Sequence, residues 1–412
     1  MSGTFVPTTS SVLNLLQKAI ERQVEDNVPR TTPLLSILKR NSGVTKMANN
    51  TFYVTEWVGN FSNVVQAAAG STLTGGDATN IQLSVSAKRL YSHVVVDEMT
   101  VESMKNVPKG ALKNFVSSYA QRMELGIGRE MNRTFNGDGD GAVARANGSS
   151  GGGTALTVQA LDADTSDLLP TQYIEAGDYV KIGSGAAVAV SSISGNVLTI
   201  AAERSWSDED DVIKATSDGG SASEMSGLKE LIVDTGTVQG VNVANYKNMQ
   251  AYVDDDSHSI ASTSEQYMNL AYLKTVGYKV SQQLIGLCNL TVFNSWAKIL
   301  TALKSTARTD ENIMGGINLQ GDKKDMPFLR FFQGKTYLDI DTWTSHWFNL
   351  DPESMTIGDL GGGVKFATAP DGTQKWSRVN SLVPSFEATL RFYGNLIMKN
   401  PKANAVLTGL TA

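Results

Sequence analysis

The chain has 412 residues and a formal net charge of -6, from 35 Lys and Arg against 41 Asp and Glu. This length exceeds what one compact core usually fills, and a 41% hydrophobic fraction with a low net charge excludes a disordered chain. The balance also excludes a chain-wide basic excess of the kind that binds nucleic acid by charge alone.

Cysteine and histidine are scarce. A single cysteine, Cys288, excludes an intrachain disulfide, and three histidines (His93, His258 and His346) offer little for a zinc site. The N-terminal residues lack the basic start and apolar core of a signal peptide, and no segment has the roughly 20 apolar residues that span a bilayer. We therefore expect a soluble protein made in a reducing cytoplasm, without a membrane partner.

The chain opens with short amphipathic pieces and continues with strand patterns. Residues 11–26 and 33–38 each carry an apolar helical stripe, and such short helices gain stability by docking on something else, for example another subunit. From 51 to 98 the pattern alternates around a Gly- and Ala-rich stretch at 66–76, which predicts a long two-stranded hairpin that needs a packing partner. The predicted strands lie at 52–57, 81–85 and 91–96.

The strongest helix signal lies between Thr100 and Phe135, where apolar residues repeat at intervals of three and four. Pro108 is predicted to mark its start or a kink. Residues 104–133 contain six basic and only two acidic side chains, so one side of this helix is expected to be positive. That side is either a functional surface or an ordinary solvated face.

Two glycine-rich tracts, 136–141 and 147–153, follow the helix, and the second is a linker by composition. Between 155 and 215 several short strands with tight turns predict a small antiparallel barrel or sandwich, inserted between flexible ends. Residues 146–222 hold three basic and eleven acidic side chains, a net charge of -8, which leaves +2 for the rest of the chain. The acidic character therefore belongs to the insertion, which we expect to face outward.

The remainder of the chain, after residue 222, mixes helices and strands without an internal repeat. An α+β architecture with a grafted β-domain follows. The patterns predict a helix over 265–288, a strand at 290–293, a helix over 296–303, a strand at 336–340 and a last strand over 388–398.

Two glycine motifs resemble nucleotide-binding loops without matching them. Gly334-Lys335-Thr336 is the end of a phosphate-binding loop, but Leu329 stands where the motif needs its first Gly, and a strand pattern follows instead of a helix. A turn into an apolar strand is the favoured interpretation. The run from Gly358 to Gly363 lacks the dinucleotide-binding spacing.

A calcium-loop pattern is incomplete. Asn136, Asp138, Asp140 and Gly141 stand at loop positions one, three, five and six, but position twelve is Asn147 instead of an acidic residue. Weak calcium binding at 136–147 stays open, and a flexible polar exit from the helix is favoured.

The other reactive residue types in the sequence are not predicted to form a catalytic or modification site. The run from Asp254 to His258 combines acid, serine and histidine, but adjacent side chains diverge, so an exposed acidic turn is predicted. The glycosylation-type sequences at Asn132, Asn147 and Asn289 have no meaning without secretion. Cys288 is predicted to be a buried small hydrophobe in a helical segment. The sequence thus predicts no catalytic, cofactor-binding or metal-binding residues, and no cofactor.

The order of elements is unusual: a helical arm, a long hairpin, a long helix, a mixed α/β region and a terminal strand. In this order the chain resembles the major capsid proteins of tailed bacteriophages, which have the Hong Kong 97-type fold. Each motif is degenerate, and it is their order that is specific. The stretches that carry the resemblance are TPLLSILKR (32–40), FYVTEWVG to LYSHVVVDEM, GALKNFVSSYAQRMELGIGREMNRTFNGDG, LTVFNSWAKILTALKS (290–305), FFQGKTYLDID (331–341), MTIGDLGGGVKFAT and RFYGNLIMKNPKANAVLTGL (391–410).

The resemblance implies a division of the chain into parts with separate positions in a shell. These are an N-terminal arm (1–50), an extended hairpin loop (51–98), a peripheral domain with a spine helix (99–145), the inserted β-domain (146–222), an axial domain (223–385) and a C-terminal strand that returns to the peripheral domain (386–412).

The implied function is structural and not enzymatic. Copies of the chain would form hexamers and pentamers that close an icosahedral head around phage double-stranded DNA, held by weak non-specific contact. Further implied partners are a portal at one vertex, decoration or head-completion proteins, and a separate scaffolding protein, since only about 50 residues precede the hairpin. The protein would be made in the host bacterial cytoplasm and reside in the virion. The alternatives are an encapsulin-like compartment shell and a phage tail or baseplate protein.

Overall fold

The structure is a computed structural model of the chain. Among the helices it describes, none is both long and apolar enough to cross a bilayer. The predicted helix at 11–26, the hairpin tip at 66–76 and Pro108 lie outside the described residues. Those residues are 33–34, 37–38, 44–46, 50–57, 79–97, 109–161, 170–216, 219, 224–260, 264–281, 284–306, 317–318, 328–331, 334–343, 345–360, 363–367, 376–380 and 383–411.

The fold is mixed α+β and consists mostly of strands. The helices are α1 (Lys109–Asn136), α2 (Leu228–Leu231), α3 (Ser264–Val276) and α4 (Leu290–Thr306), with 3-10 turns at Val243–Asn245 and Pro401–Ala403. The strands are β1 (Val44–Lys46), β2 (Thr51–Trp57), β3 (Asn80–Ser86), β4 (Lys88–Asp97), β5 (Ala142–Ala146), β6 (Ser150–Gln159), β7 (Tyr179–Ile182), β8 (Val188–Ser194), β9 (Val197–Trp206), β10 (Asp211–Ala215), β11 (Thr237–Val238), β12 (Val241–Asn242), β13 (Tyr252–Asp254), β14 (His258–Ser259), β15 (Ile285–Cys288), β16 (Ile317–Asn318), β17 (Phe328–Phe331), β18 (Gly334–Leu338), β19 (Trp347–Leu350), β20 (Met355–Asp359), β21 (Lys365–Phe366), β22 (Trp376–Asn380), β23 (Val383–Met398), β24 (Ala405–Leu407) and β25 (Leu410–Thr411).

Strand β23 is the centre of a six-stranded sheet. One edge pairs antiparallel with β4 over ten residues, from Ser385 opposite Asp97 to Gly394 opposite Lys88. The other edge pairs in succession with β22, β21 and β20, and β1 joins β20 in parallel. Apolar side chains from one face of this sheet pack with α1 in the main core. These include Met123, Ile127, Met131 and Phe135 from α1, Leu390, Phe392 and Leu396 from β23, and Leu34 and Leu38 from the start of the chain.

The strands predicted at 52–57 and 81–85 are confirmed as a hairpin, whereas the strand predicted at 91–96 is β4, which belongs to the six-stranded sheet and not to the hairpin. Strands β2 and β3 pair antiparallel from Thr51 opposite Ser86 to Trp57 opposite Asn80. On β3 the side chains of Leu83 and Val85 are buried and those between them are exposed, which is the alternation that predicted the strand. A single residue, Ala87, separates β3 from β4.

The predicted insertion is a closed antiparallel barrel with the strand order β10, β5, β6, β9, β8, β7. Of the two alternatives, barrel and sandwich, the structure has the barrel. Leu156, Val180, Leu198 and Val212 are buried inside it. The first strand begins at Ala142, four residues before the predicted start of the insertion.

A seven-stranded mixed sheet carries α3 and α4, with the order β13, β24, β19, β15, β18, β17, β16. Two predictions in this region are wrong. The helix predicted over 265–288 ends at Val276, and its last residues are β15, a strand paired on both edges and therefore apolar throughout. Residues 290–293, predicted as a strand, form the first turn of α4, because the Asn289 side chain accepts a hydrogen bond from the Val292 N–H (3.0 Å) and so caps the helix.

The strand predicted over 388–398 is longer than expected and is not the last one. It runs from Val383 to Met398, and a turn at Pro401 leads into β24 and β25. Strand β24 inserts between β13 and β19 and so joins the end of the chain to the seven-stranded sheet. The prediction at 336–340 is confirmed by β18, which runs from Gly334 to Leu338.

We predict that Gly394→Ala destabilises the six-stranded sheet by about 1–3 kcal/mol. A Cβ atom at this position would collide with the carbonyl oxygen of Gly358 and the ring of Phe392. Urea unfolding of the isolated subunit measures the change. Gly152→Ala is the matched control, because a Cβ at Gly152 meets no heavy atom within 4 Å. Equal unfolding midpoints for the two variants would contradict the prediction.

We also predict that the barrel can be excised. Its entry and exit strands are neighbours, with Ala142 opposite Ile213, so a short Gly/Ser linker can replace residues 142–215. The remaining chain should retain its helical circular dichroism and a protease-resistant core. An aggregated product without helical signal would show that the barrel is needed to complete the main core.

Candidate functional site

The last two turns of α1 end in a cluster of buried polar side chains, which we call the polar hub. The hub comprises Asn132, Arg133, Asn136, Tyr173, Glu224, Asp339 and Asp341. Asn132 Nδ2 donates to Asp339 Oδ1 (2.8 Å) and to Asp341 Oδ2 (2.5 Å). Asn136 Nδ2 donates to Asp339 Oδ2 (3.3 Å), and its Oδ1 accepts from the Thr342 hydroxyl (3.2 Å). These bonds attach the end of α1 to the turn that follows β18.

Arg133 forms the other half of the polar hub. Its guanidinium donates to Glu130 (2.7 Å), to the Glu224 carboxylate and to the backbone carbonyl of Ala142 (3.2 Å). The Arg133 side chain is buried, so all three acceptors compensate for the lost hydration of its charge. Glu224 follows the barrel in sequence and Ala142 begins it, so Arg133 joins both ends of the barrel to α1.

Two contacts bring the body of the barrel to the polar hub. The Tyr173 hydroxyl donates to Asp341 Oδ1 at 2.7 Å, and the Arg133 guanidinium carbon lies 5.8 Å from the centroid of the Tyr173 ring. One turn earlier on α1, Arg129 donates to the carbonyl of Gln172 at 3.4 Å. The polar hub thus connects α1, the barrel, the segment after the barrel and the turn after β18.

Burial and the surplus of carboxylates govern the charge states in the polar hub. Burial, followed by the nearby Asp341 charge, raises the pKa of Asp339 to about 7, although hydrogen bonds from Asn132 and Asn136 act in the opposite direction. Burial also raises the pKa of Glu224, and burial with the Asp341 charge raises that of Tyr173, which keeps its proton as a donor. Burial alone would raise the pKa of Glu130, but the charge of Arg133 outweighs it and the pKa is lowered.

Next to the polar hub, the end of α1 and the start of α2 make a close backbone contact. A Cβ on Gly227 would collide with the carbonyl oxygens of Thr134 and Gly137, so only glycine allows the start of α2 to approach the end of α1 this closely. The Lys229 ammonium lies 3.2 Å from the centroid of the Trp343 ring on the same turn that carries the two aspartates. The close packing at Gly227 and the cation–π contact of Lys229 therefore hold α2 against both the end of α1 and the turn after β18.

The calcium-loop residues do not converge. Both functional atoms of Asn136 are engaged in the polar hub, whereas Asp140 accepts from the Ala142 N–H (2.8 Å) and Asp138 lies 3.8 Å from the Lys229 ammonium. Burial and a hydrogen bond with Asp138 raise the pKa of Asp140 to about 6. The chain leaves α1 through a polar turn.

The prediction of an exposed acidic turn from Asp254 to His258 is wrong in part. Asp255 and Asp256 are exposed, but the side chains of Asp254 and His258 are buried and lie 2.9 Å apart, with the Tyr267 ring stacked on the imidazole. Within the described residues, Asp254, Asp256 and His258 bring possible ligand atoms within 4.8 Å of one another. The Asp254 oxygens already accept from His258, Tyr252 and the Asp256 N–H, so the group is internally satisfied.

The other residues considered in the sequence analysis lie in strands, in turns or in the buried core. Gly334 opens β18, and no helix follows it. Asp359 accepts from the Gly363 N–H across the second glycine run. Cys288 is buried on β15 instead of a helix, and burial raises the pKa of its thiol, which therefore stays protonated. Asn132 and Asn289 are both buried, so neither presents a surface acceptor for a glycan.

One exposed trio has the residue types of a catalytic triad. The His93 Nδ1 lies 2.9 Å from the Thr389 hydroxyl, and its Nε2 lies 3.8 Å from Glu387. The three residues are cross-strand neighbours on the face of β4 and β23. His93 and Thr389 therefore form a hydrogen bond at the surface, with the Glu387 carboxylate nearby.

Sequence reasoning missed the polar hub. Its members are separated by up to 209 residues along the chain, from Asn132 to Asp341, and adjacent motifs cannot show such a cluster. One signal was present, because Asn132 and Asn136 lie four residues apart beside the apolar positions Met131 and Phe135. Polar residues at a helical spacing next to a buried stripe indicate a partner for them elsewhere in the fold.

Comparison with known proteins identifies the fold. No protein-family model matches the sequence, and no curated protein matches it. A chain of the cyanophage A-1(L) capsid asymmetric unit has a similar structure, with 13% identity, a TM-score of 0.54, and coverage of 92% of this chain and 93% of that chain. Less similar are the capsid of cyanophage P-SCSP1u (TM-score 0.48, 8% identity, 90% of this chain and 86% of that chain) and the capsid of a native GTA particle (0.45, 8%, 91% and 90%).

The fold assignment rests on the cyanophage A-1(L) match, which runs nearly end to end in both chains. The chain therefore has the fold of a phage capsid subunit. The resemblance predicted from the order of its elements is confirmed at the level of the fold.

We predict that the protein loses stability as the pH rises through about 7. The pKa of Asp339 is about 7 in the folded chain and about 3.9 in an unfolded one, so the folded state holds this proton more tightly and its advantage disappears as the proton leaves. Thermal unfolding midpoints measured from pH 5 to pH 9 should fall up to about pH 7 and then level off, because above that pH both the folded and the unfolded state have lost the proton. Asp339→Asn should flatten the dependence, whereas the exposed control Asp255→Asn should leave it unchanged. A steep profile in Asp339→Asn would assign the effect to another group.

Proposed function

We propose that the chain is the major capsid protein of a tailed phage, a structural protein and not an enzyme. Many copies form hexamers and pentamers that close an icosahedral shell around double-stranded DNA. The observation that carries the proposal is the fold shared with a chain of the cyanophage A-1(L) capsid over 92% of this chain.

The proposed division of labour follows the order of the elements. The hairpin at 51–98 reaches a neighbouring subunit, α1 is the spine of a peripheral domain, and 223–385 forms an axial domain near the centre of each capsomer. The acidic barrel, placed at 146–222 by the sequence, faces outward. The polar hub supports this division, because it joins the barrel and the turn after β18 to one end of the spine.

The strands of the hairpin support a role in contacts between copies. Within the described residues β2 pairs only with β3, so its other edge has no strand partner there. The side chains of Tyr53, Tyr91 and Val95 are about half exposed on β2 and β4. An open edge and exposed apolar side chains are unfavourable in an isolated subunit and become favourable when a second copy covers them.

The partners of the proposed shell are those that the resemblance to phage capsid proteins implies, and the charge of the chain bears on one of them, the DNA. Outside residues 146–222 the chain carries a net charge of only +2, so a wall built from it holds DNA weakly and without sequence preference. A separate scaffolding protein directs assembly, a portal occupies one vertex, and decoration or head-completion proteins bind the finished head. The protein is made in the host cytoplasm and resides in the virion.

Electron microscopy of the chain, expressed alone and together with its scaffolding protein, tests the proposal. Closed icosahedral particles or isolated hexamers and pentamers are the expected result. Shells that enclose an enzyme and lack a portal vertex would indicate an encapsulin-like compartment, and tubes or rings would indicate a tail or baseplate protein. A compact monomer at high concentration with scaffold present would overturn the shell function.

A further inference from the structure

Helix α3 carries apolar side chains on both of its faces. Met268, Ala271 and Tyr272 are buried in the core beneath it, whereas Leu270 and Leu273 on the opposite side are 38% and 58% exposed. An amphipathic surface helix normally places polar residues on the outward side, and a helix that is apolar all round is normally covered all round. The outward side of α3 therefore has the composition of a contact surface.

The exposed apolar surface continues beyond the end of the helix. Tyr278 is 46% exposed and Val280 is 63% exposed, so four large apolar side chains face outward within eleven residues. We call this surface, which is made of Leu270, Leu273, Tyr278 and Val280, the apolar strip. Single exposed apolar residues are common on any protein, but a group of this density marks an interaction site.

The backbone of the apolar strip is held in place from the inside. The buried Asp351 carboxylate accepts from the N–H groups of Val280 (2.5 Å) and Ser281 (3.2 Å). Asn400 donates to the carbonyl of Tyr278 at 3.1 Å. A surface that is already fixed loses little conformational entropy when a partner covers it, so these bonds favour binding.

The acidic end of the apolar strip lies at the start of α3. The Tyr267 ring, in the first turn, stacks on His258 with a centroid separation of 3.4 Å. This contact brings the turn that carries the exposed Asp255 and Asp256 side chains to that end of the helix. No lysine or arginine lies between Asp254 and Tyr267 in the sequence.

The basic end lies at the other side of the apolar strip. Lys274 is exposed in the last turn of α3, about 10 Å along the helix axis from Tyr267. The Lys402 ammonium lies 4.3 Å from the centroid of the Tyr278 ring and adds a second positive charge there. The apolar strip is thus bounded by opposite charges, and it is complementary to a second strip laid with its acidic end against this basic end.

We infer that the apolar strip binds a second copy of this chain, with the acidic end of one strip facing the basic end of the next. The inference rests on the proposed shell function, and it names the surface through which neighbouring subunits meet. A partner of unrelated sequence would not need both charges on the same strip, whereas two identical copies that meet through the same patch match each other only if that patch carries both halves.

Paired substitutions in the full-length chain test the apolar contribution. Leu273→Asp combined with Val280→Asp should lower the yield of particles and capsomers at least tenfold in sedimentation and electron microscopy, because a charge would be buried without a partner on assembly. The unfolding midpoint of the subunit should stay unchanged, since both side chains are exposed in one copy. Leu290→Asp is the matched control, because Leu290 is 51% exposed on α4 and should tolerate the change.

Charge exchange tests the orientation. Asp255→Lys and Lys274→Asp should each lower the yield of particles, and the double variant should restore it, because the two ends again carry opposite charges. Wild-type yield from Leu273→Asp with Val280→Asp, or a double charge variant no better than the singles, would overturn the inference. Failure of the wild-type chain to assemble would instead contradict the proposed shell function, so the two outcomes are distinguishable.

Discussion

The arrangement of the chain depends on one interaction, the packing of the buried Asp339 carboxyl and the partly buried Asp341 carboxylate against the amides of Asn132 and Asn136. Two amide side chains beside the apolar stripe of a helix, and carboxyl groups packed against them, are costly unless each finds a partner. Their bonds fix the rotation of α1 and the position of the turn after β18 at once. Removing one partner would leave a buried hydrogen-bonding group unsatisfied, which typically costs about 1–3 kcal/mol.

The barrel shows how an acidic insertion can be carried without disturbing the core. Its own apolar interior is complete, and it meets the rest of the described chain through Tyr173, Gln172 and the two ends gathered by Arg133. The surplus negative charge of residues 146–222 therefore lies on a separate body. The main core is left to form from nearly neutral sequence, where charge repulsion does not oppose close packing.

Local patterns predicted the elements that are governed by local physics. The period of α1, the alternation on β3 and the compact run of barrel strands all follow from which side of each element faces a core. The wrong predictions concern segments whose secondary structure is determined by contacts with residues far away in the sequence. Residues 285–288 read as helix because an apolar run has no visible period, and only pairing with β18 and β19 on both edges makes it a strand. The Asn289 cap was visible in the sequence as a start signal that the strand interpretation overlooked.

The polar hub and the apolar strip were beyond sequence reasoning for a different reason. Asp339 meets Asn132 across 207 residues, and the outward direction of Leu273 is known only once Tyr272 and Ala271 are seen to point inward. Order along the chain was nevertheless informative. The sequence of arm, hairpin, long helix and mixed sheet predicted a capsid fold that no single motif could have indicated.

The ten-residue ladder between β4 and β23 has a mechanical consequence. A pull along β4 runs parallel to both strands of this ladder, so it loads the whole row of hydrogen bonds in shear instead of breaking them one after another. A row loaded together yields only when many bonds break at once. The base of the hairpin is therefore a joint suited to carrying tension, and β23, paired on both edges, spreads that load across the entire sheet.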